Sequence, residues 1–378
     1  MIKGNRIYLD NNATTKIDPR VLDSMLPYFT DYYANASSSH LDGLVINESV
    51  ENATWQVADF IGAKENEIIF TSGATEALNL AIKGLEGLSR NKIITFTTEH
   101  KVVLDTCAYM QNQGYEVEYL PVRNDGSIDT EIFRNAMNED TLLVIAMLSN
   151  NETGTIHDIK TISEITKAHG AILLCDTTQS IGKIPVDVIE LGMDMLTISA
   201  HKFYGPKGIG ALFISNKSTL KLNPQIHGGG QQGNLRSGTL NVPGIIGLGK
   251  ACEIAKSEMN DDESRIIKLR NKLEDGLLKI EGSFVNGSTN ERIYNTSNIC
   301  FPGVWSEQLI LSLGNISVSN GSACSAVTSK PSHVLKALGL SDEDALCSIR
   351  FSLGRFTTEE EIDFTIKKVT EIVNQFRA

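Results

Sequence analysis

The sequence predicts an α/β protein, a parallel sheet covered by helices with a smaller α+β unit after it. Two observations carry that prediction. From about Glu67, short β-rich runs alternate with amphipathic helical segments, the pattern of parallel strands joined by crossover helices. After Pro243 the pattern changes to one long helical stretch, 244–280, followed by short strands and a final helix.

In chain order the expected strands are EIIFTSG (67–73), KIITFTT (92–98), YEVEYLPV (115–122), TLLVIAMLSN (141–150), AILLCDTTQ (171–179) and MDMLTISA (193–200), with a further strand after GPKGIG (205–210). Between them lie helices such as ATEALNLAIKGL (74–85) and KTISEITKAHG (160–170), each ending near a glycine as helices often do. The polar cluster from Ser257 to Asp262 places a domain boundary near residues 258–262.

Composition narrows the function classes. A chain of 378 residues with 41% hydrophobic and 21% charged residues can bury a large core without disulfide support. The formal charge of −12 argues against a nucleic-acid binder, which needs a basic surface to neutralise phosphates. No long apolar run suggests a membrane span, and the start MIKGNRIYLDNN has no apolar signal-peptide core, so a cytoplasmic location is expected. The six cysteines are scattered with no CxxC pair, which points to neither a disulfide framework nor a metal site. Five sit in apolar or helical contexts; Cys324, in SNGSACSAVTSKP (319–331), sits among small polar residues where a thiol is open to chemistry. An incidental surface cysteine is the bland reading of that residue.

Ligands of open α/β sheets bind beyond the carboxyl ends of the strands, and four such ends stand out. At Thr71–Glu76 a strand runs into a helix through small residues, a seat for phosphate or simply an N-cap. His100 ends KIITFTTEH and could stack on a planar ring, relay a proton, or be a capping histidine. Asp176 follows a run of apolar residues, where a carboxylate needs a partner: a pyridinium nitrogen, or the amides of the next turn. Lys202, after Ser199 and His201, emerges where Asp176 does and could form a Schiff base if desolvated. Together these ends supply the parts a pyridoxal phosphate enzyme needs.

The segments YLDNNATT (8–15), SGATEALNLAIKG (72–84), TEHKVVLDTC (98–107), SNNETGTI (149–156), DTTQSIGKIPVDV (176–188), SAHKFYGPKGIGALFI (199–214), GGGQQGNLRSGTLNVPG (228–244), GSACS (321–325) and SIRFSLGRFTTEEEID (348–363) carry a resemblance that runs nearly end to end. The chain resembles the cysteine desulfurases of the NifS/IscS group. That resemblance implies the aspartate-aminotransferase type of fold, with a mainly parallel seven-stranded sheet in the large domain and a homodimer whose active sites lie at the subunit interface. It implies residues 1–15 as a segment packing on the small domain and active site, 16–258 as the large domain, and 259–378 as the small domain carrying the cysteine loop.

The resemblance also implies roles. Lys202 would hold pyridoxal phosphate covalently, Asp176 would pair with its ring nitrogen, Gln179 with its ring oxygen, and His100 would stack on the ring. Ala74, Thr75, Ser199 and His201 would hold the phosphate, with Thr239 arriving from the other subunit. Asn12, Asn151 and Arg350 would bind the carboxylate of L-cysteine, and Cys324 would take its sulfur as a persulfide, leaving L-alanine. The sulfur would pass to an acceptor such as an iron–sulfur scaffold protein. The sequence departs from the group at Ala36, where a proline is usual, at Gln231–Asn234, which lacks a basic residue, and at Cys347, read as a packing residue. A selenocysteine lyase or other β-lyase of the same fold would keep Lys202 and Asp176 without needing Cys324. A hydrolase is disfavoured because no G-x-S-x-G elbow occurs.

Overall fold

The structure is a computed structural model, and it describes residues 6–85, 87, 89–216, 221–321 and 330–378. Cys324 lies outside the described residues. Strand β1 (Ile7–Tyr8) precedes helices α1 (Pro19–Met25), α2 (Pro27–Thr30) and α3 (Leu41–Phe60). The alternation follows as β2 (Ile68–Thr71), α4 (Ala74–Lys83), β3 (Lys92–Phe96), α5 (Lys101–Asn112), β4 (Glu116–Leu120), α6 (Thr130–Ala136), β5 (Thr141–Met147), α7 (Ile159–Ala168), β6 (Ile172–Asp176), β7 (Met195–Ser199) and β8 (Gly210–Ile214). Then come α8 (Val242–Leu277), β9 (Phe284–Val285), β10 (Thr296–Cys300), α9 (Ser306–Leu313), β11 (Ile316–Ser317), α10 (His333–Ala337), α11 (Asp342–Leu346), β12 (Ser348–Ser352) and α12 (Glu359–Arg377).

Strands β2 to β8 form one seven-stranded sheet in the order β2-β8-β7-β6-β5-β3-β4. Strand β8 runs antiparallel to both β7 and β2, and the remaining pairs are parallel. The carboxyl ends of β2, β3, β5, β6 and β7 therefore share one edge. Every expected strand is present; β2, β3, β5 and β7 are buried along their length, as their apolar runs require, while the edge strand β4 is only partly buried. Alternate residues serve opposite faces: Val144 and Ala146 join the cluster under α3 and α8, whereas Leu143 and Ile145 join the one under α4 and α5.

Helix α8 is the long helical stretch expected over 244–280. Its 36 residues run unbroken through the polar cluster 257–262, about 54 Å at 1.5 Å per residue. One end buries Ile245, Leu248 and Cys252 in the large apolar cluster; the other buries Ile266, Leu269 and Leu273 beside β10 and β12. The polar middle crosses between the two cores, where Glu258 pairs with Arg20 and Asp262 accepts from Arg355 Nε at 2.8 Å. Arg355 also reaches Asp18 at 2.9 Å. Charge there meets charge rather than marking a chain break.

The smaller unit is a three-stranded antiparallel sheet, β9-β10-β12, packed against α8, α9 and α12. The N-terminal segment is tied to it: β1 pairs in parallel with β11, and Ile7 and Leu9 are buried in its core.

Gly210 shows how tightly the sheet's site edge is built. A Cβ there would stand 2.3 Å from the Ile198 carbonyl and 2.7 Å from Gly73 Cα, with backbone on both sides. Gly210→Ala is therefore expected to lower stability by about 1–3 kcal/mol through overpacking. Urea unfolding of the variant against the parent checks this; an unchanged midpoint would contradict the close approach.

Candidate active site

A cavity of about 700 Å³ opens at the shared carboxyl edge of the sheet. Its floor is set by the strand ends, its roof by the N-terminal segment and the smaller unit. Ala74, Thr75, His100, Asn151, Asp176, Gln179, Ser199, His201, Lys202, Arg350 and Asn12 all line it, so eleven of the expected site residues meet in one place.

Helix α4 starts at this edge without a capping side chain, because its N-cap is Gly73. Its first N–H groups have no earlier turn to bond, and the helix dipole adds positive potential there. Ser199 and His201 stand on the same wall. Burial, with help from the Lys202, Lys207 and Lys183 cations, lowers the His201 pKa to about 4, so its imidazole is neutral. Its Nδ1 lies 3.1 Å from Thr14 Oγ1.

Lys202 follows β7 in a single tight turn. Its Nζ donates to the main-chain carbonyls of Asn12 at 2.6 Å and Ala13 at 2.9 Å. Burial and then the Arg350 cation lower its pKa to about 8, against the pull of Asp176 and Asp10. A lysine so placed has a substantial neutral fraction near physiological pH.

Asp176 ends β6 and is 6% exposed. Its Oδ1 accepts from Thr178 N–H at 2.9 Å and Thr197 Oγ1 at 3.1 Å. Among the described residues Oδ2 has no hydrogen-bond donor, although the carboxylate lines the cavity. His100 caps α5, its Nδ1 accepting from Val102 N–H at 3.2 Å. A neutral ring with Nδ1 accepting must carry its proton on Nε2. Desolvation lowers the His100 pKa and Lys202 adds to that, with Asp176 opposing.

Arg350 comes from β12 of the smaller unit. Nη1 donates to the Asn151 carbonyl at 2.9 Å and Nη2 to Asp10 Oδ1 at 2.7 Å, while Nε is buried without a partner. Asn151 Oδ1 and Thr178 Oγ1 are also buried without partners among the described residues. Asn12 is differently engaged: Nδ2 donates to the Asn151 carbonyl and Thr296 Oγ1, and Oδ1 accepts from Asn295. Its contribution to the site is the main-chain carbonyl, which accepts from Lys202 Nζ and Gln179 Nε2. Thr239 is exposed and does not line this cavity within the chain.

Sequence reasoning did not assign Asp10, Thr178, Ser149 or Ser319, which line the cavity too. Asp10 lay inside the quoted YLDNNATT, and only its pairing with Arg350 shows its use. Glu99, fully buried behind His100, accepts from Met147 N–H at 2.8 Å, and burial holds its pKa well above the usual carboxylate range.

The donor set suits pyridoxal phosphate. The bare N-terminus of α4 with Ser199 and His201 could take the phosphate, the free oxygen of Asp176 a protonated ring nitrogen, and His100 a ring face. Lys202, with its lowered pKa, could reach an aldehyde carbon. Five cysteines, Cys107, Cys175, Cys252, Cys300 and Cys347, are buried. Burial raises the pKa of each thiol, to about 12 for Cys107 and Cys300.

Comparison with known proteins agrees with this chemistry. The aminotransferase class-V family model matches residues 7–364. Cysteine desulfurase IscS of Shewanella oneidensis is 49% identical over 377 residues, 98% of this chain and 93% of that protein. The solved structure of a NifS-like protein superposes with a TM-score of 0.92 at 38% identity, covering 98% of this chain and all of that one. SspA in complex with cysteine superposes with a TM-score of 0.83 at 35% identity, covering 93% of this chain and all of that one.

Proposed function

The chain belongs to the aminotransferase class-V family and is a pyridoxal-phosphate-dependent cysteine desulfurase, and we propose that the cavity around Lys202 performs this reaction with Cys324 as sulfur acceptor. The observation that carries the site assignment is the meeting of a lysine of lowered pKa, an Asp176 oxygen without a donor and the uncapped end of α4.

Pyridoxal phosphate, when bound, is the electron sink that makes the substrate Cα–H acidic. Asp176 would keep a proton on the ring nitrogen, Gln179 would donate to the ring oxygen, and His100 would cover the ring face. Arg350 receives the carboxylate of L-cysteine once Asp10 yields one arm of the guanidinium, and the unpartnered Nε adds a donor; Asn151 assists, and Asn12 shapes the same pocket. Lys202 would take the proton from Cα and return one to Cα once the Cβ–S bond has broken, so that Cα keeps its hydrogen in the product. The Cys324 thiolate then attacks the substrate sulfur, and the Cβ–S bond breaks with its electron pair passing to Cβ. That carbon gains a proton, so the products are L-alanine and a persulfide on Cys324.

The persulfide suits transfer to the thiolate of an acceptor protein such as an iron–sulfur scaffold. We place the protein in the cytoplasm as a homodimer, in which the partner's Thr239 completes the phosphate seat. Two features support pairing: Thr239 is exposed in its own chain, and Leu26, Phe29, Tyr33, Leu41 and Leu44 form an exposed apolar stretch. No helix among the described residues is long and apolar enough to cross a membrane. We divide the chain at 258/259, inside α8, between its two buried faces.

The direct test is product analysis with L-cysteine and a thiol reductant. L-Alanine and sulfide are expected in equal amounts; a yellow protein that makes neither would refute the reaction. Cofactor loading offers a second test, because only the neutral Lys202 amine attacks the aldehyde. The loading rate of apoprotein is expected to rise with pH and level near 8, the lowered pKa, rather than at the ordinary 10.5. A rate still climbing well above that plateau would contradict a desolvated lysine.

A further inference from the structure

We propose that Lys183 is a positioning residue that fixes the Gln179 side chain with its amide N–H groups toward the cavity, so that the cofactor's phenolic oxygen meets a donor. The inference rests on the reading of this cavity as a pyridoxal phosphate site. Lys183 lies behind the cavity wall in the turn after β6 and is 5% exposed. Its Nζ donates to two atoms of Gln179, the main-chain carbonyl at 2.8 Å and Oε1 at 3.0 Å.

In its charged form the Lys183 Nζ has donors only, so the amide atom facing it must then be the oxygen. That chemistry decides the orientation of Gln179 and puts Nε2 on the far side. There Nε2 donates to the Asn12 carbonyl at 2.9 Å. The same carbonyl accepts from Lys202 Nζ at 2.6 Å. One chain of contacts thus runs from Lys183 through Gln179 and Asn12 to the Schiff-base lysine. The second hydrogen of Nε2 remains for a ligand.

Without the Lys183 ammonium only the Asn12 carbonyl, already shared with Lys202, opposes the flipped amide, which would set an oxygen against an anionic oxygen of the cofactor. The charge has a cost that argues for use. Burial, with Lys202 and Arg350 as the charged neighbours pressing on it, lowers the Lys183 pKa to about 7. A neutral residue of similar length would avoid that cost if packing were the only need.

The test uses the resting holoenzyme before any substrate is added. The visible band of Lys183→Met is titrated against wild type, Lys183→Arg, Gln179→Leu and the Met–Leu double variant. Loss of the donor weakens the anionic form of the cofactor's phenol, so the titration midpoint of Lys183→Met should rise by about one pH unit, a tenfold change in proton affinity. Lys183→Arg, which keeps charge and donors, should stay near wild type. Gln179→Leu should rise likewise, and the double variant no further than either single one. Should the Met variant not fold, Lys183→Gln is read in its place with the same upward shift expected.

A wild-type midpoint in Lys183→Met, or shifts that add in full in the double variant, would overturn the proposal and leave Lys183 a packing residue. The two readings fail separately. A wild-type enzyme that binds the cofactor and titrates as expected yet ignores L-cysteine sinks the desulfurase reaction alone.

Discussion

Lys202→Ala is expected to leave a folded protein that no longer tethers pyridoxal phosphate and forms L-alanine from L-cysteine roughly 10²–10⁴-fold more slowly, the usual worth of a positioned proton carrier. The fold should survive, since the lost bonds are to the Asn12 and Ala13 carbonyls at the cavity rim rather than within a core. Two measurements check it: the visible band of the resting enzyme, and alanine release at saturating substrate. A small primary amine added to the variant should restore part of the rate by supplying the missing base. Alanine release at the wild-type rate would exclude Lys202 as the proton carrier and move attention to His100, which shares the cavity.

Cys324→Ser is expected to keep the cofactor and its colour while losing sulfide production by about a hundredfold or more, because a hydroxyl at neutral pH is a far weaker nucleophile toward sulfur than a thiolate. No other cysteine is suited to substitute. Cys107, Cys175, Cys252, Cys300 and Cys347 are buried with raised pKa values, and none lines the cavity. The substrate-induced change in the visible band should persist, since the proposed mechanism assigns substrate binding and proton removal to Lys202, Asp176 and Arg350. Retained sulfide release in the serine variant would refute the persulfide assignment. Release of selenide but not sulfide would favour a selenocysteine lyase.

The legible parts of this protein were the local ones. Strands β3, β5 and β7 are buried along their whole length, so their apolar runs announced both their position and the sheet's two covered faces. Asp176, Ser199 and His100 were found because each follows directly on such a run. The continuity of α8 was legible too, as one helical stretch over 244–280. What the sequence did not show is why 257–262 is charged, and only the pairing of Glu258 and Asp262 with Arg20 and Arg355 explains how charge is tolerated between two cores. Asn12 was placed at the substrate by resemblance alone; in the structure its side-chain amide bonds within the protein and its carbonyl accepts from Gln179 and Lys202.

By itself the sequence determined the chemical parts and their local settings: a lysine, an aspartate, a histidine and a helix start, each at the end of a strand. Those settings depend on neighbours within a few residues, where side-chain period and turn chemistry decide the backbone. Tertiary structure alone decided which parts meet. Arg350 reaches Asp10 and Asn151 because β12 and the N-terminal segment bridge at Asp10 and Ser352, and Gln179 and Lys202 converge on the Asn12 carbonyl because that segment folds over the cavity. Such contacts join residues far apart in the chain through strand register and packing, and no local pattern records them.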